Sequence, residues 1–218
     1  MCGIIGYVGR QEAAPILLEG LERMEYRGYD STGMAVCGDG VLRVCKKKGR
    51  VQVLREMSHD GADLPGTLGI GHTRWATHGE PSDVNAHPHL SQSGKFAVVH
   101  NGIIENFIAL KEELLQKGYT FRSETDTEVV AQLLDYYYSD CGDFFEAMNR
   151  LLHAVDGAYA LGIICADYPY RLVAARKDAP LLLGFGDGEN FIASDVTALI
   201  RHTRDIAYMD DGELAILS

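Results

Sequence analysis

Ala158-Tyr-Ala-Leu-Gly-Ile-Ile-Cys-Ala166 and Tyr170-Arg-Leu-Val-Ala-Ala-Arg176 are apolar runs of strand length, parted only by Asp-Tyr-Pro. Similar short runs follow over 181–185, 190–194 and 213–217, again separated by Gly, Asp and Pro rather than by helical patterns. Such spacing belongs to antiparallel sheets and not to a repeating strand–helix–strand unit. Upstream, apolar residues recur with helical period over 105–117, 127–138 and about 143–155, and Gly118 stops the first of these. Ser123 or Thr125 is placed to cap the second.

Further back the pattern returns to strands. Residues 95–100 read as a buried strand entering Asn101-Gly102, and 67–73 as a strand running into the polar, Gly- and Pro-rich segment 74–82. Residues 33–37 and 41–46 flank Gly-Asp-Gly, a hairpin signal. A helix is expected over about 12–25, with Pro15 tolerable in its first turn, and residues 3–8 read as a short buried strand. Ten or so strands with about four helices in blocks predict an α+β domain whose antiparallel sheets carry helices outside. No linker or repeat divides the chain, so residues 1–218 are read as one domain.

Composition narrows the function. Hydrophobic residues make up 46% and charged residues 23% of the chain, ordinary for a globular protein. The formal charge of −11, from 31 acidic and 20 basic residues, disfavours a nucleic-acid surface, which draws its affinity from cations on phosphates. No apolar run approaches the ~18 residues of a membrane span, and the start lacks the basic region of a signal peptide. Five cysteines without a close pair fit neither a disulfide framework nor a zinc site, and point to a reducing, cytoplasmic setting.

Three motifs fail on inspection. Gly28-x-x-x-x-Gly33 is followed by Met34 where a phosphate loop needs Lys and Ser or Thr. Gly184-x-Gly-x-Gly188 has the wrong spacing for a dinucleotide and reads as a turn. His87-Pro-His89 has no third ligand at suitable spacing, so loop packing is expected. No metal or cofactor is expected.

Four polar clusters remain: Cys2, the 74–78 segment, Asn101-Gly102 and Asp126. If Met1 is removed, Cys2 carries a thiol beside a free α-amine, a nucleophile and a base on one residue. Asn101 and the Gly102 N–H offer two donors for a developing oxyanion, Arg74 a fork for an α-carboxylate, and Asp126 a partner for an α-ammonium. Separately each has a plainer reading: Asn-Gly as a hairpin turn, Arg74 as a surface ion pair, Asp126 as a helix cap. Together they describe glutamine as substrate.

Cys2-Gly-Ile-Ile-Gly6, Glu25-Tyr-Arg-Gly-Tyr-Asp-Ser31, His72-Thr-Arg-Trp-Ala-Thr-His-Gly-Glu-Pro-Ser82, Val99-His-Asn-Gly-Ile-Ile-Glu-Asn106 and Ser123-Glu-Thr-Asp-Thr-Glu128 closely resemble the class II, N-terminal-nucleophile glutamine amidotransferases. Within that family they look most like the domain found in glutamine–fructose-6-phosphate aminotransferases. The resemblance implies a four-layer αββα sandwich, loss of Met1, and Cys2 as nucleophile with its own amine as base. It implies Asn101 and Gly102 as the oxyanion hole, and Arg74, Thr77, His78 and Asp126 as glutamine contacts. Trp75 would belong to a loop closing over substrate, and Arg27 would support Cys2. It further implies a sugar-isomerase region elsewhere in the same polypeptide and a homo-oligomeric full enzyme. Amidophosphoribosyltransferase domains are the nearest rival, although Tyr26-Arg-Gly-Tyr and Trp75-Ala-Thr-His-Gly lean away from them. Asparagine synthetase is more remote, and a non-catalytic glutamine-binding module is the alternative of a different class.

Overall fold

The computed structural model describes residues 2–76 and 79–218. In chain order the elements are β1 (Gly3–Val8), α1 (Ala13–Met24), β2 (Ser31–Gly38), β3 (Val41–Lys48), α2 (Val51–Met57), β4 (Leu68–Arg74), β5 (His89–Leu90) and β6 (Phe96–Ile104). There follow α3 (Phe107–Gln116), α4 (Thr127–Cys141), α5 (Phe144–Ala154), β7 (Gly157–Cys165), β8 (Leu172–Lys177), β9 (Leu182–Phe185), β10 (Asn190–Ala193), β11 (Asp205–Tyr208) and β12 (Leu214–Leu217). Among the described residues no helix is long and apolar enough to cross a membrane.

The strands form two antiparallel sheets. One runs β11-β9-β10-β1-β4-β2-β3 and the other β12-β8-β7-β6-β5. Alternation along each strand sorts side chains into three apolar layers. Ile5 and Tyr7 of β1, with Met34 and Val36 of β2, pack under Leu17, Leu18 and Leu21 of α1. Phe96 and Val98 of β6, with Leu161 and Ile163 of β7, pack under Val130, Leu134 and Met148 of α4 and α5. The intervening residues, Ile4, Val8, Leu68, Ile70, Ala97, Val99, Ala160 and Ile164, meet between the sheets. The result is the expected αββα sandwich. Both faces of each central strand are covered, so these strands read as continuous apolar runs rather than as strict alternation. Each large side chain removed from water in these layers contributes roughly 1.5–3 kcal/mol.

Local chemistry explains most boundaries. Asp39 and Gly40 sit at φ 54° and 71°, the left-handed pair that a two-residue hairpin requires. The Asp143 carboxylate accepts the Glu146 N–H at the start of α5 (2.8 Å), and Gly142 ends α4 in the left-handed region. The cap expected from Ser123 or Thr125 does not form: Asp126 occupies the cap position of α4 without a side-chain cap bond. Instead Glu128 accepts the Arg122 and Ser123 N–H groups and the Ser123 hydroxyl, folding the preceding loop back onto the helix. Asn101-Gly102 is not a turn either, because both residues lie inside β6, opposite Ala160 and Tyr159 of β7.

Candidate active site

The same alternation that builds the inter-sheet core also builds the site. Ile4 and Val8 face the second sheet, so Cys2, two residues before Ile4, points the same way. Leu68 and Ile70 of β4 are followed on that face by His72 and Arg74, and Ala97 and Val99 of β6 by Asn101. At one end of the sandwich the apolar layer therefore gives way to a thiol, an imidazole, a guanidinium and an amide. Register brings them level: Gly3 pairs with Thr73, which sets Cys2 beside the end of β4.

Cys2 is held at its sulfur and its carbonyl. The Trp75 N–H donates to Sγ at 3.3 Å, and the thiol faces the Trp75 carbonyl at 3.6 Å. The Cys2 carbonyl accepts from Asn101 Nδ2 (3.2 Å) and Arg27 Nε (3.3 Å). Arg27 is in turn clamped to Asp195 at 2.6 Å, and the Tyr26 hydroxyl donates to the same carboxylate oxygen at 2.7 Å. Burial opposes ionisation of Asp195. Bonds from the Thr197 N–H, Tyr26, the Thr197 hydroxyl and Arg27 outweigh it and bring the carboxyl down to about 2.

Arg74 is 4% exposed, which removes the surface-ion-pair reading. Its Nη2 donates to the Gly79 carbonyl at 3.2 Å. Burial lowers its pKa, against the pull of Cys2, Asp126 and Asp30. Gly28 lies against the Arg74 backbone, where a Cβ would stand 2.8 Å from the Arg74 carbonyl carbon. Asp126 is buried, and its Oδ2 accepts the Ile104 N–H at 2.8 Å, bracing the end of β6. Gly102 has φ 128°, and a Cβ there would meet the Ala158 carbonyl oxygen at 2.0 Å, so only glycine fits.

Cys2, Arg74, Trp75, Gly102 and Asp126 line one small cavity of about 30 Å³. Trp75 is 46% exposed at its rim, edge-on to Tyr29 with centroids 5.7 Å apart. Asp30 holds the next residue by accepting the Ala76 N–H at 2.9 Å. A far larger cavity, about 610 Å³, is lined by Lys46, His89, Gln92, Arg122 and Glu128, and no cysteine is among its described lining residues. Size does not mark the chemistry here. Burial raises the Cys2 thiol pKa, only partly offset by the Trp75 N–H and by Arg74 and Arg27. Burial thus disfavours the thiolate at the resting sulfur.

Thus Cys2, Arg27, Arg74, Trp75, Asn101, Gly102 and Asp126 lie together at one end of the sandwich. Thr77, His78 and Met1 lie outside the described residues. His72, His100, Asp30 and Asp195 carry contacts that the sequence reading did not assign. For the two histidines a signal existed, since each follows an apolar strand run where the chain turns polar. Asp195 had none.

The family pattern described as glutamine amidotransferase domain matches residues 72–201. The chain belongs to this family. Over its whole length the amidotransferase chain is 59% identical to a glutamine–fructose-6-phosphate aminotransferase [isomerizing] of Caldanaerobacter subterraneus subsp. tengcongensis, covering 35% of that protein. It is 54% identical to the enzyme of the same name from Clostridium tetani, again covering all of this chain and 35% of the relative. It thus spans about a third of the length of these relatives. Among solved structures, the glutamine phosphoribosylpyrophosphate amidotransferase of B. subtilis superposes with a TM-score of 0.83 at 28% identity, covering 99% of this chain and 47% of that one.

Proposed function

We propose that this chain hydrolyses the side-chain amide of L-glutamine to glutamate and ammonia through a thioester on Cys2. The observation that carries the reading is the convergence of the Cys2 thiol, the Arg74 guanidinium, the Asp126 carboxylate and Gly102 on one cavity. With Met1 removed, the α-amine of Cys2 takes the thiol proton as sulfur attacks the amide carbon. The oxyanion is met by Asn101 Nδ2–H and the Gly102 N–H, each such donor being worth roughly 3–4 kcal/mol in the transition state. The amine returns its proton to the departing nitrogen and ammonia leaves. Water then cleaves the thioester, releasing glutamate and restoring the thiol.

Arg74 binds the α-carboxylate and Asp126 the α-ammonium, Thr77 and His78 add contacts, and Arg27 holds the Cys2 carbonyl. Trp75, exposed at the rim of the cavity, belongs to the segment that closes over bound glutamine. In the longer polypeptide the ammonia passes to a sugar-isomerase region, converting fructose 6-phosphate to glucosamine 6-phosphate in a cytoplasmic homo-oligomer. Identities above 50% to aminotransferases of that name, against 28% to the phosphoribosylpyrophosphate enzyme, favour this acceptor.

The test is ammonia release from glutamine, read beside intact mass. A chain lacking Met1 should turn over and should take one equivalent of a reactive glutamine analogue at Cys2. A Met1-free chain that binds glutamine without turnover identifies a non-catalytic binding module instead.

A further inference from the structure

Asn101 serves the proposed chemistry only if its amide nitrogen, not its oxygen, faces Cys2. An amide has no steric preference between the two, so something must set it. His72 stands at the required place. Its Nε2 lies 3.1 Å from the backbone carbonyl of His100 and 3.0 Å from Asn101 Oδ1. A backbone carbonyl only accepts, so Nε2 must carry the ring proton. A protonated Nε2 accepts nothing, so the Asn101 atom facing it must be the oxygen, and Nδ2 is turned to the Cys2 carbonyl at 3.2 Å.

The ring cannot readily escape this tautomer. His72 is 1% exposed, and its Nδ1 is buried with no hydrogen-bond partner among the described residues. A proton moved there would lose both acceptors. Protonation of both nitrogens is opposed first by burial, then by the neighbouring His100 and Arg74, and its pKa lies at about 3. His87 stacks on the ring with centroids 4.2 Å apart and planes 19° from parallel. His87 accepts the His100 N–H through Nδ1 at 3.3 Å, which fixes its tautomer as well.

We propose that His72 is a positioning residue: its Nε2–H, tied to the fixed carbonyl of β6, locks the Asn101 amide with its nitrogen toward the nucleophile. This rests on Asn101 acting as an oxyanion donor, and the experiment separates the two. Glutamine turnover is compared for wild type, His72→Leu, His72→Gln, Asn101→Ala and the His72→Leu/Asn101→Ala double variant. His72→Leu, which frees the amide to flip, should lower kcat on the order of 10- to 100-fold with KM within about twofold. His72→Gln, whose amide N–H reaches the Nε2 position, should recover most of it. In the Asn101→Ala background His72→Leu should cost nothing more. An equal loss in both backgrounds overturns the assignment of His72 alone, whereas wild-type kcat in Asn101→Ala overturns the oxyanion reading and this proposal with it. If His72→Leu does not fold, imidazole nitrogen NMR of the wild-type chain decides. The Nε2–H tautomer held across roughly pH 5–8 supports the proposal, and the Nδ1–H tautomer overturns it.

Discussion

Replacing Asp195 by Asn tests the support behind the nucleophile without touching the cavity. Asn keeps the size of the side chain and removes the charge that clamps Arg27 at 2.6 Å. A carboxyl held at about 2 in the folded chain, against an unfolded value near ~3.9, sets an upper bound of about 2.5 kcal/mol at neutral pH. The Asp195 side chain is 18% exposed, and solvent screening brings the expected loss down to roughly 1–2 kcal/mol. The sign follows from the direction of the shift. A depressed carboxyl stabilises the fold above its unfolded value, and that contribution fades as pH falls through ~4 toward ~2. Urea unfolding of wild type and Asp195→Asn at pH 7 and at about pH 3 should therefore give a gap that shrinks by about half at the lower pH. With Arg27 loosened from the Cys2 carbonyl, kcat for glutamine should fall several-fold as well. A gap of equal size at both pH values, or none at pH 7, refutes the reasoning.

Other outcomes follow from the site geometry. Cys2→Ala should abolish glutamine hydrolysis while circular dichroism and melting temperature stay near wild type, since it removes the nucleophile and one half-buried sulfur. Arg74→Lys keeps the charge but loses the two-pronged geometry, and should raise KM for glutamine by at least tenfold, about 1.4 kcal/mol; an unchanged KM removes Arg74 as the carboxylate fork. Gly102→Ala should lower the melting temperature as well as kcat, because its Cβ would meet the Ala158 carbonyl oxygen at 2.0 Å and the backbone must shift. Wild-type melting with wild-type kcat in that variant shows that β6 is not constrained there.

The layered fold was legible because each layer writes its own period: helical in 12–25 and 127–138, apolar throughout in the doubly covered strands. The hairpin at Asp39-Gly40 was legible from turn chemistry. β11 was not, because Asp205–Tyr208 is an edge strand with exposed residues and carries no apolar run. The two-residue β5 is too short to leave a pattern. Asn101-Gly102 invited a turn reading because that dipeptide favours one in isolation; here the pairing of β6 with β7 overrides local preference. In the site, polar side-chain types in or beside apolar strand runs revealed Cys2, Arg74 and Asn101. The roles of His72 and Asp195 depend on contacts 29 and 168 residues away in the chain, which no local window contains.

β1 is the middle strand of its sheet, hydrogen-bonded on one side to β4 and on the other to residues 190–193, and the Ile4 N–H is bound by the Ser194 hydroxyl at 2.9 Å. The strand that follows Cys2 is therefore secured on one side by a segment 190 residues further along the chain. If Cys2 is the nucleophile, a chain cut before residue 190 leaves that edge of β1 unpaired and should release no ammonia from glutamine, so that completing the sandwich acts as a safety catch on the thiol.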